Sequence, residues 1–255
     1  MLAAARKDLL LDRLRRDGRI VAKEIAAELG LSEDSIRRDL RELDAAGLAV
    51  RVYGGALPAS LATADYATRT TVALDSKRRV AAAALALVEP GATVILDGGT
   101  TTLALVAALP KTFPCTIITH SPTIADALLD HDADVFLIGG RLFKHSAVAC
   151  GAAAVEAAER ISADLFLLGV TGVHPVAGLT TGDADEAATK RALASRAAET
   201  YVLASDEKIG AASRYRVLPF DAVAGIVADR GPADPTLREL GAAGVPLVHA
   251  GGPGG

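Results

Sequence analysis

SEDSIRRDLRELDAAGLAVRVYGGA, residues 32–56, carries three arginines within five positions, an acidic pair ahead of them and a Gly-Gly turn behind. A helix begun at Ser32 turns about 100° per residue, so Ile36, Leu40 and Leu43 form one apolar stripe. Arg38 and Arg41 project nearly opposite that stripe, with Ser35 and Arg37 on its flanks. Ser32 suits the N-cap, Glu33 and Asp34 the positive first turn, and Gly47 the end. Charged helix faces are most often simply solvated, so the neighbouring segments decide what this one touches.

Upstream, IVAKEIAAELGLS (20–32) predicts a short helix with Val21, Ile25 and Leu29 inward, then a turn at Gly30 and Leu31. Before it, RKDLLLDRLRRDG (6–18) predicts a third helix with Leu10 and Leu14 inward, ended by Gly18. Downstream, LAVRVYGGA (48–56) alternates as a short hairpin closed at Gly54 and Gly55. Two short helices through a Gly-containing turn, a third helix and a β-wing make a winged helix-turn-helix. In such modules the second helix of the motif enters the major groove of double-stranded DNA. The expected contacts are Ser32, Ser35, Arg37, Arg38 and Arg41 on the helix, with Arg51 and Tyr53 on the wing.

Residues 1–56 hold 11 Lys and Arg against 10 Asp and Glu, a balance of +1, and the remainder holds 16 against 21, a balance of −5. The cationic face is therefore local patterning, and the acidic bulk opposes non-specific binding to nucleic acid. Without Asn or Gln anywhere in the chain, base reading rests on Arg with guanine, on Ser hydroxyls and on apolar contacts with thymine methyls. With 255 residues, 51% of them hydrophobic and a mean hydropathy of +0.32, the chain can bury one large core beside a small domain. No long apolar run or signal-peptide pattern interrupts it, so a cytoplasmic protein is expected. Cys115 and Cys150 have neither disulfide density nor metal spacing. The five histidines lack the i, i+4 spacing of a zinc helix, and neither metal nor cofactor is expected.

Residues 57–74 show no periodicity and read as a linker. Beyond it, seven apolar runs alternate with helical segments: TVILD, TIITH, ADVFLIGG, ADLFLLGV, TYVLAS, GIVAD and PLVHA. Continuous apolar strands between helices predict a parallel sheet covered on both faces, an α/β domain over 75–250, followed by a flexible tail at 251–255. Ligands of such sheets bind beyond the carboxyl ends of strands. There ILDGGTTTLALVAAL leads from a strand through Asp97, Gly98 and Gly99 to Thr100, Thr101 and Thr102 at a helix start. Small residues, hydroxyls and a positive helix end suit a phosphate, with Asp97 expected to accept sugar hydroxyls. Neither a Walker A nor a dinucleotide fingerprint is present. Lys208, after a later strand, is a candidate counter-charge. Glu186 and Lys190, at i, i+4, fit a surface ion pair or a pocket pair.

IRRDL at 36–40, followed by AGL and RVYGGA at 51–56, resembles the DNA-binding signature of the DeoR family of bacterial transcriptional regulators, with Tyr53 where the family often has His. DGGTTT, THS at 119–121, GGR at 139–141, GLTTGDADEAATKRAL at 178–193 and SDEKIG at 205–210 resemble the DeoR sensor domain, whose fold is similar to ribose-5-phosphate isomerase. The resemblance implies a repressor of carbohydrate genes that a phosphorylated sugar releases from its operator. It adds Thr119, His120, Gly140, Asp183, Glu186 and Lys190 to the expected effector site, with Lys144 and His145 as a lid after the GGR loop. His120 stands where the family usually has Asn, and Ser205 and Glu207 where it often has Asp and Ser. The competing class is an isomerase-like enzyme with an accessory DNA-binding domain, in which Asp97, Asp183 and Glu186 would supply carboxylates. A homodimer or higher homo-oligomer is expected, because paired half-sites call for paired readers.

Overall fold

A computed structural model describes residues 2–251; residues 252–255 of the expected tail lie outside the described residues. Helix α1 (Ala3–Asp17) buries Leu10 and Leu14 and ends on Gly18 at φ 70°. Strand β1 (Ile20–Val21) then leads into α2 (Ala22–Leu29) and α3 (Glu33–Ala45). Ile36, Leu40 and Leu43 of α3 close a small core with Leu10, Leu14, Ile20 and Ile25. The expectation that Val21 belongs to a helix is corrected. It pairs with Gly55 and makes a third strand of the wing, between α1 and α2.

The wing's other strands are β2 (Ala49–Val52) and β3 (Gly55–Pro58), and β3 lies in the middle. A Cβ at Gly55 would sit 1.7 Å from the Ile20 carbonyl oxygen, so only glycine admits β1 alongside. The expected linker is more structured than its lack of periodicity implies. It holds the end of β3, a 3₁₀ turn at Leu61–Thr63 and the short α4 (Tyr66–Arg69). After β3, Ala59 bridges to Ala212, tying the wing strand to the second domain.

That domain begins with α5 (Leu74–Leu85). It then alternates β4 (Thr93–Leu96), α6 (Thr100–Ala108), β5 (Thr116–Thr119), α7 (Pro122–Ala127) and β6 (Asp134–Leu137). A hairpin of β7 (Arg141–Phe143) and β8 (Val148–Cys150) precedes α8 (Ala152–Ala158) and β9 (Ala163–Gly169). Next come β10 (Gly172–His174), β11 (Gly178–Thr181), α9 (Ala184–Ala194) and β12 (Ala197–Ala204). The chain closes with β13 (Tyr215–Arg216), β14 (Gly225–Ala228), α10 (Pro235–Ala242) and β15 (Leu247–His249). The seven strands expected from the apolar runs form one parallel sheet in the order β15-β14-β12-β9-β4-β5-β6.

Alternation along each strand divides its burial between two layers. Val94, Leu96, Leu165 and Leu167 pack with α5, α6 and α7, while Ile95, Phe166 and Leu168 pack with α8, α9 and α10. No described helix is long and apolar enough to cross a membrane. After β4 the chain adds β5 and β6 on one side, then returns to add β9 on the other. This reversal leaves a crevice beyond the carboxyl ends of β4 and β9, where open α/β sheets take ligands.

Candidate functional site

At the DNA-facing end, Ser32 caps α3 by accepting from the Ser35 amide at 3.3 Å, and the two hydroxyls lie 2.9 Å apart. Arg37, Arg38 and Arg41 are exposed, as expected from the helical wheel. Arg37 is held by Glu33 at 2.6 Å, whereas among the described residues no carboxylate pairs with Arg38, Arg41 or Arg51. Arg37, Arg51 and Tyr53 line one groove between α3 and the wing. Tyr53 is fully exposed at the wing tip. Beneath this surface Asp39 is buried in α3 and takes a two-pronged bond from Arg6 of α1. That pairing was invisible in the sequence, because nothing local marks two residues 33 positions apart as partners.

The second site sits in the switch-point crevice. Gly98 and Gly99 lead from β4 into α6, whose N-terminus no side chain caps, so its first amides face outward without helical partners. Thr101 and Thr102 are buried beside them. Lys208, on a 3₁₀ turn after β12, places Nζ 2.9 Å from Thr101 Oγ1. Burial lowers its pKa to about 8. Glu186 and Lys190 of α9 are also buried and 3.4 Å apart. The pair is not at the surface, and both residues line the crevice.

Asp97 requires a correction. Its Oδ1 accepts from the Gly98 amide at 2.8 Å and faces His120 Nε2 at 2.7 Å. Its Oδ2 accepts from the Gly169 amide at 2.7 Å and from Lys190. Four donors occupy the carboxylate, and none of its acceptor capacity remains for a sugar hydroxyl. Burial alone would raise its pKa, but the Lys190 charge and the His120 bond outweigh that and hold it far below the usual carboxylate range. Burial likewise works against the Lys190 charge, yet Asp97 and Glu186 raise its pKa. Asp97 therefore anchors the loop as a scaffold residue.

Other expected residues also shape the site from outside it. Thr119 donates to the Leu96 carbonyl at 2.7 Å, and His120 Nδ1 bonds the Ala149 carbonyl at 2.8 Å. Asp183 caps α9 by accepting from the Glu186 amide at 3.0 Å. A Cβ at Gly140 would lie 3.2 Å from the Cys150 carbonyl oxygen and 3.3 Å from Ala154, so the position has no room for a side chain. Lys144 is exposed and does not reach the crevice, while Ser146, two positions on, does.

Arg69 and Glu207 complete the lining. Arg69 comes from the stretch expected to be a linker, is buried, and donates to the His145 carbonyl at 2.6 Å. Lys77 buttresses it by donating to the Arg69 carbonyl at 2.6 Å, with Glu207 3.8 Å away. Burial lowers the pKa of both Arg69 and Lys77. Arg69 Nε, Thr102 Oγ1 and Glu207 Oε2 are buried without a hydrogen-bond partner. Polar atoms so placed are costly, and the three residues that carry them line one crevice.

A winged helix presenting unpaired arginines, joined to a doubly wound domain with a buried cationic crevice, is the build of a ligand-sensing DNA-binding regulator. The comparisons with known proteins agree. Residues 6–60 match the DeoR-like helix-turn-helix domain and residues 72–230 the DeoR C terminal sensor domain. The regulator GlpR of Haloferax volcanii is 33% identical over 252 residues, 97% of this chain and 98% of its own length. The uncharacterized regulator FruR of Bacillus subtilis is 33% identical over 228 residues, 89% of this chain and 88% of its own. Among solved structures, ribose 5-phosphate isomerase A of Methanocaldococcus jannaschii matches at TM-score 0.40 and 17% identity, over 53% of this chain and 54% of that one. The chain belongs to the DeoR family of helix-turn-helix transcriptional regulators.

Proposed function

We propose that the protein represses genes of carbohydrate metabolism and leaves its operator when the phosphate of a phosphorylated sugar enters the crevice. The convergence of Arg69 Nε, Thr102 Oγ1 and Lys208 on the uncapped start of α6 carries this reading. These are donors and positive charge arranged around one point, the environment a phosphate requires. Glu186, on the wall of the crevice, takes over the role first expected of Asp97 as an acceptor for sugar hydroxyls.

Arg38 and Arg41 read base edges or adjacent phosphates, while Arg37, Arg51 and Tyr53 hold the DNA backbone in their shared groove. The protein acts as a homodimer on paired half-sites. Relatives point the same way: one at 32% identity is the putative aga operon transcriptional repressor of Escherichia coli O157:H7. The enzyme alternative is disfavoured because Asp97 is fully engaged and Asp183 is a helix cap, leaving neither free to move a proton. The test is Thr101→Glu, which puts an anion in the crevice. Thermal stabilisation by sugar phosphates should vanish while operator binding in a gel shift persists. Equal stabilisation of the wild type by free and phosphorylated sugar, or turnover of a sugar phosphate, would remove the reading.

A further inference from the structure

The phosphate crevice is small, about 30 Å³. A single water needs about 10–15 Å³ on that measure, so the crevice admits a group of a few atoms and not a sugar. Beside it lies a second chamber of about 420 Å³, and the two share Ser146, Thr171 and Glu186 as common walls. The second chamber lies between the domains. Asp44 at the end of α3 and Val50 of β2 line it from the DNA-binding module, and Phe143, Gly182, Ser213 and Arg214 line it from the sensor. Ser213 Oγ is buried there without a hydrogen-bond partner. Arg214 reaches Asp44 across the boundary at 3.5 Å, and Asp44 also accepts from the Arg51 amide of the wing at 3.4 Å.

We propose that the effector occupies both chambers. Its phosphate rests on α6, and its carbon skeleton passes the Glu186 neck into the interdomain chamber, touching the DNA-binding module directly. This rests on the phosphate reading above and narrows the ligand to a five- or six-carbon sugar phosphate, too long for the crevice alone. The lining suits such a molecule: Asp44, Arg214 and the Ser213 hydroxyl bond hydroxyl groups, while Phe143 and Val50 cover its C–H faces. A ligand hydroxyl on Asp44 or Arg214 competes with the pair that joins the domains and with the Asp44 bond to the Arg51 amide. Release from the operator then follows from contact between ligand and DNA-binding module, without a relay of side chains through the sensor.

Calorimetric titration of the full chain tests this with inorganic phosphate, glycerol 3-phosphate, ribose 5-phosphate and fructose 6-phosphate as probes, together with operator release. Inorganic phosphate and the three-carbon phosphate should bind but leave the operator complex intact. At least one longer probe should bind about tenfold tighter or more, because it adds contacts in the second chamber, and should release the operator. Gly182→Leu fills that chamber from the sensor side. Its backbone is not left-handed, and no atom lies within 4 Å of an added Cβ. Val50→Phe fills it from the other side. Both variants should bind inorganic phosphate as wild type does and lose about tenfold for the longer probe. Unchanged affinity for it in both variants, or no gain from three to six carbons in the wild type, overturns the two-chamber inference while the phosphate site stands. Failure of every phosphate to bind removes the underlying reading instead.

Discussion

The two cationic surfaces of this chain treat charge in opposite ways. On α3 and the wing, the guanidinium groups of Arg38, Arg41 and Arg51 stand in solvent with no carboxylate paired to them among the described residues, and are screened by salt. In and behind the crevice, burial lowers the pKa of Arg69, Lys77 and Lys208, and for Lys208, at about 8, the charge depends on what lies beside it. Water and salt barely reach them. The difference implies that ionic strength governs the operator complex, whereas the sensor answers to proton and ligand.

The largest effect expected from breaking this contrast is on stability. Lys190→Ala takes the lysine charge away from the buried Asp97 carboxylate, and loss of one partner of a buried pair costs about 3–5 kcal/mol. Chemical denaturation should show that loss, and a change under 1 kcal/mol would mean that the network is not electrostatically closed. Exposed charge should matter less to stability and more to binding. Arg38→Ala should weaken specific operator binding by about 1–3 kcal/mol if the side chain takes guanine. Arg51→Ala should weaken all sequences alike and flatten the salt dependence by about one unit of slope. Gel shifts over a salt series separate the two outcomes.

A smaller effect comes from pH. Lys208 titrates near 8 in the folded chain against an ordinary value of 10.5. Between those values the unfolded chain holds a proton that the folded one has released, so stability without ligand should rise with pH across that window. Phosphate affinity should move the other way, falling as pH passes 8, by at most about tenfold per pH unit. Parallel movement of the two would show that Lys208 does not face the phosphate. Smallest is Ser32→Ala, which removes the cap of α3 and should cost about 1 kcal/mol. Its readout is the thermal midpoint, with little change in the sensor.

The same contrast explains which parts could be read from sequence. All seven strands of the large sheet are legible as continuous apolar runs; the inner ones are buried on both faces, while the edge strand β6 keeps its run although Phe136 and Leu137 stand exposed. The recognition helix is legible too, its stripe and its arginines being set by local period. Val21 was not, since two residues are too few for a period, and only pairing with Gly55 makes them a strand. Arg69 was missed because its role depends on contact with residue 145, 76 positions away, and its own segment has no pattern. Asp97 is legible as a residue of the loop, but its task is not. A carboxylate after a strand reads the same whether it faces a ligand or is consumed by donors from three other elements.

Those donors also bear on the order in which the molecule assembles. Asp97 meets His120, Gly169 and Lys190 at separations of 23, 72 and 93 residues. Each contact closes a longer loop, whose entropy must be lost before the bond forms. The winged helix can collapse within its first 58 residues, but the crevice exists only once β4, β5, β9 and α9 have come together. The contacts of the amino-terminal module therefore close over short separations, while those of the crevice wait for strands and helices far along the chain.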